Sequence, residues 1–304
     1  MVSLLLVVAG IAALTPIGAR MALQEMPPLA TGWIRFGIAG MLLAVTCKVT
    51  GRRIAIERAD RLTLVVAAIL CVPINQIGFL GGIKLANASH AGLFYALTPV
   101  LVFWGTLLAG RVSWRGSMFT ATVLSVAGAV AVVFPGVRDS MGPDAISGSM
   151  LAGDGLLFVA VASWAGFVVV SQSLVVKYGP LQTLTAVFVL GTLLDTPLML
   201  VDVGQLDLSR LGRQAWAGFA FITLMTGYVN YLLWYTLIAR HDITRVAVVI
   251  NIHFLLTVLL EHLIFDEPVP KSMMAGCALT LGGVYLATRP GVAVGRSMSR
   301  PTQT

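Results

Sequence analysis

Charge is scarce in this chain: only 11% of its 304 residues are Asp, Glu, Lys or Arg. A water-soluble domain carries about a quarter, so this chain cannot cover a water-facing surface. Cysteine is scarce as well. Cys47, Cys71 and Cys277 sit in apolar surroundings without CxxC spacing, the pattern of small buried hydrophobes rather than a disulfide or metal framework. No H-E-x-x-H, G-x-S-x-G, P-loop or GxGxxG occurs, which removes the usual signatures of a metalloprotease, a serine hydrolase and a nucleotide-driven pump. Acids within the apolar runs are confined to Asp154, Asp195 and Glu261, too few and too scattered for an ion channel. The alternating ten-residue segments of a membrane β-barrel are absent.

What is present is apolar. Hydrophobic residues make up 58% of the chain and the mean hydropathy is +0.91. The apolar residues come in runs near 20 long, enough to cross about 30 Å of hydrocarbon at 1.5 Å per residue. The first run, Val2 to Ala19, lacks a basic leader and is followed by many like it, so it is expected to be a retained helix. Breaks in hydropathy predict ten spans near 2–23, 30–48, 62–85, 90–109, 116–134, 153–175, 180–201, 214–238, 244–264 and 271–288. The expected fold class is an all-α polytopic membrane protein.

The net charge of +7 matters through its placement and implies no nucleic-acid partner. With the N-terminus inside, most basic residues fall on the inner side, led by Arg52, Arg53, Arg58 and Arg61 in one loop. Positive residues favour the cytoplasmic side, so both termini are expected to be cytoplasmic, in the cytoplasmic (inner) membrane.

The chain also repeats. An offset of 155 residues places Asn75 on Asn230, Ser89 on Thr244, Gly128 on Gly283 and Pro135–Gly136 on Pro290–Gly291. Five spans is an odd number, so a second copy must lie upside-down relative to the first. The expected organisation is two inverted five-helix repeats, 1–136 and 153–291, with a linker at 137–152 outside the membrane and a tail at 292–304. In transporters built from inverted repeats the substrate site lies near the midplane.

Polar side chains inside a bilayer are costly and face a cavity or a partner. Asn75 and Asn230, related by the repeat, fall near the middles of spans 3 and 8; His253 and Asn251 fall near the middle of span 9. Each either lines a cavity or joins helices by hydrogen bonds, typically about 1 kcal/mol. Gln76, Phe79, Tyr95, Trp104, Trp164, Tyr231 and Trp234 cluster at similar depth. Such a wall suits an amphipathic, aromatic or zwitterionic solute and not a phosphorylated one. Arg35 lies well inside span 2. Structural pairing with Asp195 or Glu261 is the expectation, and capture of a carboxylate is the alternative. His253, whose ordinary pKa is near 6.5, and Glu261 are the candidates for proton coupling; a neutral core His, exchange and uniport fit equally.

Three passages carry a family resemblance: "LTPIGARMALQEMPPLATGWIRF" (14–36), "GGIKLANASHAGLFYALTPVLVFWGTLLAGRVSW" (81–114) and "RHDITRVAVVINIHFLLTVLLEHLIFDEPVP" (240–270). The chain resembles the drug/metabolite transporter superfamily, specifically the EamA-type ten-helix exporters. The resemblance implies outward transport of amino acids or related small metabolites by alternating access, with no catalysis and no cofactor. The expected partners are a small-molecule substrate and the lipid bilayer, in a monomer or weak homodimer. The rival reading is an intramembrane enzyme acting on a lipid or peptide.

Overall fold

A computed structural model of the chain describes residues 2–86, 88–95, 97–111, 114, 119–120, 123–124, 127–128, 131, 148–240, 252–266 and 271–288. Much of the expected fifth span, most of the linker, the start of the expected ninth span with Asn251, and the tail lie outside these residues. The described residues form helices joined by short turns: α1 (Val2–Leu23), α2 (Pro28–Val49), α3 (Arg61–Ile69), α4 (Asn75–Leu85), α5 (Ala88–Tyr95), α6 (Thr98–Leu108), α7 (Gly148–Tyr178), α8 (Pro180–Asp202), α9 (Arg213–Ala220), α10 (Tyr231–Arg240), α11 (Ile252–Phe265) and α12 (Lys271–Thr288). Among the described residues six stretches are long and apolar enough to cross a membrane: 6–23, 28–49, 58–85, 149–178, 180–205 and 213–237. Large apolar side chains such as Met41, Leu108, Val176 and Leu200 lie exposed along the helices, as lipid-facing residues do. The protein is an all-helical, multi-span membrane protein.

Two spans contain π-helical turns. Leu70–Ile74 widens the span between α3 and α4, and Phe221–Asn230 does the same between α9 and α10. Pro73 sits inside the first; it has no N–H to close an α-turn, and its ring crowds the preceding carbonyls. The second contains no proline. Subtracting the 155-residue offset brings the second segment over the first, and Asn75 and Asn230 both stand at the C-terminal edge of their wide turn.

The expected span 90–109 is broken into α5 and α6. Pro99 lies in the first turn of α6, where a missing N–H costs nothing and a fixed φ favours a new start. The Thr98 hydroxyl donates to the carbonyl of Tyr95 at 2.6 Å, satisfying a group left over from the end of α5.

The packing interlocks early and late parts of the chain. α2 runs antiparallel to α8 along its whole length: Leu29 N–H meets Asp202, Trp33 Nε1 donates to Thr196 Oγ1 at 3.1 Å, and Cys47 Sγ lies 3.4 Å from Thr185 Oγ1. α3 and α4 lie against α7, and α1 against α9 and the π segment after it. Glycine makes two of these approaches possible. A Cβ on Gly78 would stand 2.6 Å from the carbonyl oxygen of Leu156 and 2.7 Å from the nitrogen of Ala160. One on Gly218 would run into the carbonyl oxygen of Gly18.

Candidate functional site

At mid-depth, where α2, α4, α7 and α10 meet, the apolar packing gives way to a polar centre. Asn75, 3% exposed, opens α4. Its amide nitrogen donates to Tyr95 Oη at 2.9 Å, to the carbonyl of Ala160 at 2.9 Å and to Ser163 Oγ at 3.4 Å. Its amide oxygen accepts from Gln76 Nε2 at 2.8 Å. Gln76 in turn accepts from Arg35 Nη1 at 3.2 Å. The centre is thus a neutral amide chain ending on a buried guanidinium.

Arg35 does not make the ion pair expected for it. Glu261 is held by Arg20, and it also accepts from the backbone N–H of Ala88 at 2.9 Å. Asp195 is buried on α8 and makes no ion pair with Arg35. The reason is the direction of the α2 side chains. Trp33 and Gly37 face α8, through Thr196 and Thr192, whereas Arg35 points to Gln76 on α4.

Aromatic rings close the other side. Tyr231, 8% exposed, meets Trp164, Phe188 and Phe36 edge-on at centroid distances of 5.3, 5.0 and 6.0 Å. Phe79 stands edge-on to Tyr95 at 5.6 Å. Two further polar atoms are buried and unpartnered, Asn230 Oδ1 and Trp234 Nε1. They sit one turn apart, facing the same way.

Asn75, Gln76, Phe79, Tyr95, Trp164 and Tyr231 are therefore joined into one network by direct contacts and shared neighbours. Trp104 meets Trp114, which is 53% exposed, edge-on at 5.4 Å. His253 is half-buried on the first turn of α11, and its carbonyl accepts from Thr257. Glu261 lies eight residues on, about 12 Å along the helix, at the end of the bundle where Arg20 is. Asn251 is outside the described residues. Among the described residues no three His, Cys, Asp or Glu side chains converge as a metal ion requires.

Contacts at the two ends were not foreseen. At one end Asp202 accepts from the N–H groups of Leu29 and Ala30, both at 2.8 Å, capping α2 from α8. There too His90 Nδ1 lies 2.7 Å from Asp154 Oδ1, and Glu25 accepts from the N–H of Gly212. At the other end Lys177 bridges Glu57 and Asp60 at 2.7 Å each, and the Tyr178 hydroxyl donates to Asp60. Nothing in the local sequence pairs residues more than sixty positions apart, so these contacts had no signal to read.

The model of the EamA-like transporter family matches residues 1–134 and again 151–289. The chain belongs to the EamA-like transporter family. Two uncharacterized transporters of Archaeoglobus fulgidus resemble this EamA-like protein at 26% identity over 271 residues and 23% over 274, spanning 88% and 89% of this chain and 90% and 92% of theirs. The uncharacterized transporter YyaM of Bacillus subtilis is 23% identical over 267 residues, 86% of this chain and 84% of its own. A solved crystal structure matches the EamA-like fold with a TM-score of 0.64 at 17% identity, over 94% of this chain and 98% of that one; at that identity the likeness speaks for fold alone. The protein is a membrane transporter, and its bacterial and archaeal relatives imply a plasma-membrane location.

Proposed function

We propose that the protein moves small zwitterionic or aromatic metabolites, amino acids among them, outward across the cytoplasmic membrane by alternating access. The observation that carries this reading is the buried centre at mid-depth, built by α2 and α4 from one part of the chain and α7 and α10 from the other. Aromatic faces beside unpartnered amide and indole atoms suit a solute with an apolar body and few charges. Asn230 Oδ1 offers an acceptor to an ammonium, and Trp234 Nε1 offers a donor to an oxygen.

The interlocked packing supports two inverted halves, 1–136 and 153–291. If α1 corresponds to α7, and the span through α4 to the span through α10, the packing of α7 on α3 and α4 has its counterpart in that of α1 on α9 and α10. The α2–α8 pair then lies on the symmetry axis. The two π turns, one per half, give each half a place to bend. The ends supply the closures: Arg20–Glu261, Glu25–Gly212 and His90–Asp154 on the outer side, Lys177–Glu57–Asp60 on the inner side. One set opens at a time, with both termini in the cytoplasm. On this reading Glu261 belongs to the outer gate, and His253 and Glu261 are the candidates for carrying a proton.

The test is counterflow in liposomes holding the purified full chain, across amino acids, nucleosides and aromatic metabolites. Exchange of zwitterionic or aromatic solutes, lost in Trp164→Ala and Asn230→Ala, is the expected result. Exchange that both variants leave unchanged contradicts the site. Dependence on an imposed pH gradient, absent in His253→Ala, is the outcome expected for proton coupling.

A further inference from the structure

Arg35 is the only cation among the buried described residues, at 2% exposure, about two turns into a helix long enough to span a membrane. Among the described residues no carboxylate pairs with it. Its hydrogen-bond partner is the neutral Gln76 oxygen, its Nε is buried without a partner, and the Phe36 ring lies 5.1 Å from its Cζ. Three buried acids are engaged elsewhere: Glu261 with Arg20, Asp154 with His90, and Asp202 with the N–H groups that open α2. An ion left unneutralised in a low-dielectric interior is strongly unfavourable.

The amide chain beside it orients without neutralising. Gln76 spends its N–H on Asn75, and Asn75 spends its own on Tyr95, Ala160 and Ser163. The Gln76 oxygen is thereby turned on Arg35, and the guanidinium keeps its Nε edge for another acceptor. A guanidinium fork matches a planar two-oxygen acceptor. A phosphate with two charges calls for more than one cation, and Arg35 stands alone.

We propose that Arg35 anchors the carboxylate of the transported solute, so that the substrate is an organic carboxylate or zwitterion and its amide or decarboxylated analogue is refused. This rests on the transporter reading above and sharpens it. Asn75 and Gln76 are positioning residues for the guanidinium.

The experiment uses the full chain in detergent and in liposomes, with the free amino acids as probes, each beside its amide and its decarboxylated amine. Binding is followed by the shift in thermal unfolding, and transport by counterflow. At least one acid is expected to stabilise the protein and exchange. Its amide should bind about ten- to a hundred-fold more weakly, the worth of a charge-assisted hydrogen bond. Arg35→Gln should erase that preference while unfolding at the same or a higher temperature, because it removes an uncompensated charge; Arg35→Lys should keep part of the preference. Equal handling of acid and amide overturns the inference and leaves the transporter reading intact, as does an undiminished preference in Arg35→Gln. No response to any acid in either assay also overturns it. Arg35-dependent stabilisation by an acid that no liposome exchanges upholds the anchor and removes the transporter reading instead.

Discussion

Asn75 is the most connected side chain of the buried centre. Asn75→Ala strips partners from the partly buried Tyr95 and the buried Gln76, at a cost of about 1–3 kcal/mol. Thermal unfolding in detergent should show that loss, and counterflow should fall with it. Glu261 tests a different bond. It holds the partly exposed Arg20 and the backbone N–H of Ala88. Glu261→Gln keeps an oxygen for Ala88 and gives up the charge; Glu261→Ala gives up both. Unfolding temperatures should fall in the order wild type, Gln, Ala, with the Ala variant losing about 1–3 kcal/mol once Arg20's access to solvent is allowed for. Equal effects of Gln and Ala would mean that Ala88 contributes nothing. The polar residues of the centre were visible in the sequence, because a polar side chain in an apolar run is conspicuous. Their partners were not. Arg35 was expected to find Asp195 or Glu261, and only the facing of α2 shows why it meets Gln76.

At the scale of elements, the spans through α4, α7 and α8 follow hydropathy to within a few residues. The break at Leu97 and the π turn at Leu70–Ile74 had a signal in Pro99 and Pro73. Hydropathy could not distinguish a kinked span from two helices. The π turn at Phe221–Asn230 contains no proline and had no such signal. Pro73→Ala restores an N–H and lets the wide turn close. Closing it turns Asn75 by roughly one residue's rotation, about 100°, away from Tyr95. Transport should drop sharply in Pro73→Ala while secondary structure by circular dichroism stays helical; unchanged transport would show that the wide turn is incidental. Gly78→Leu probes the α4–α7 seam, where even a Cβ meets backbone atoms. Such overpacking costs about 1–3 kcal/mol or more, and unfolding in detergent should register it.

For the whole molecule, composition was enough to assign the membrane class, and the repeat and resemblance to suggest the architecture. The contacts at both ends were invisible, because they join residues far apart in sequence. They lead to a prediction at this scale. Cysteines placed at Glu25 and Gly212, or at Glu57 and Lys177, are close enough to be bridged by a short bifunctional thiol reagent; the native cysteines are buried. Bridging either pair should stop counterflow, and a reducible bridge should let it resume on reduction. Transport that survives both bridges would rule out alternating opening of these ends.

The central claim is that a solute passes through the buried centre shared by α2, α4, α7 and α10. Counterflow of zwitterionic and aromatic solutes by the purified full chain tests it most directly, with Asn75→Ala, Trp164→Ala and Asn230→Ala measured alongside. The account expects exchange by the wild type and its loss in all three correctly folded variants. Exchange undiminished in those variants would contradict it.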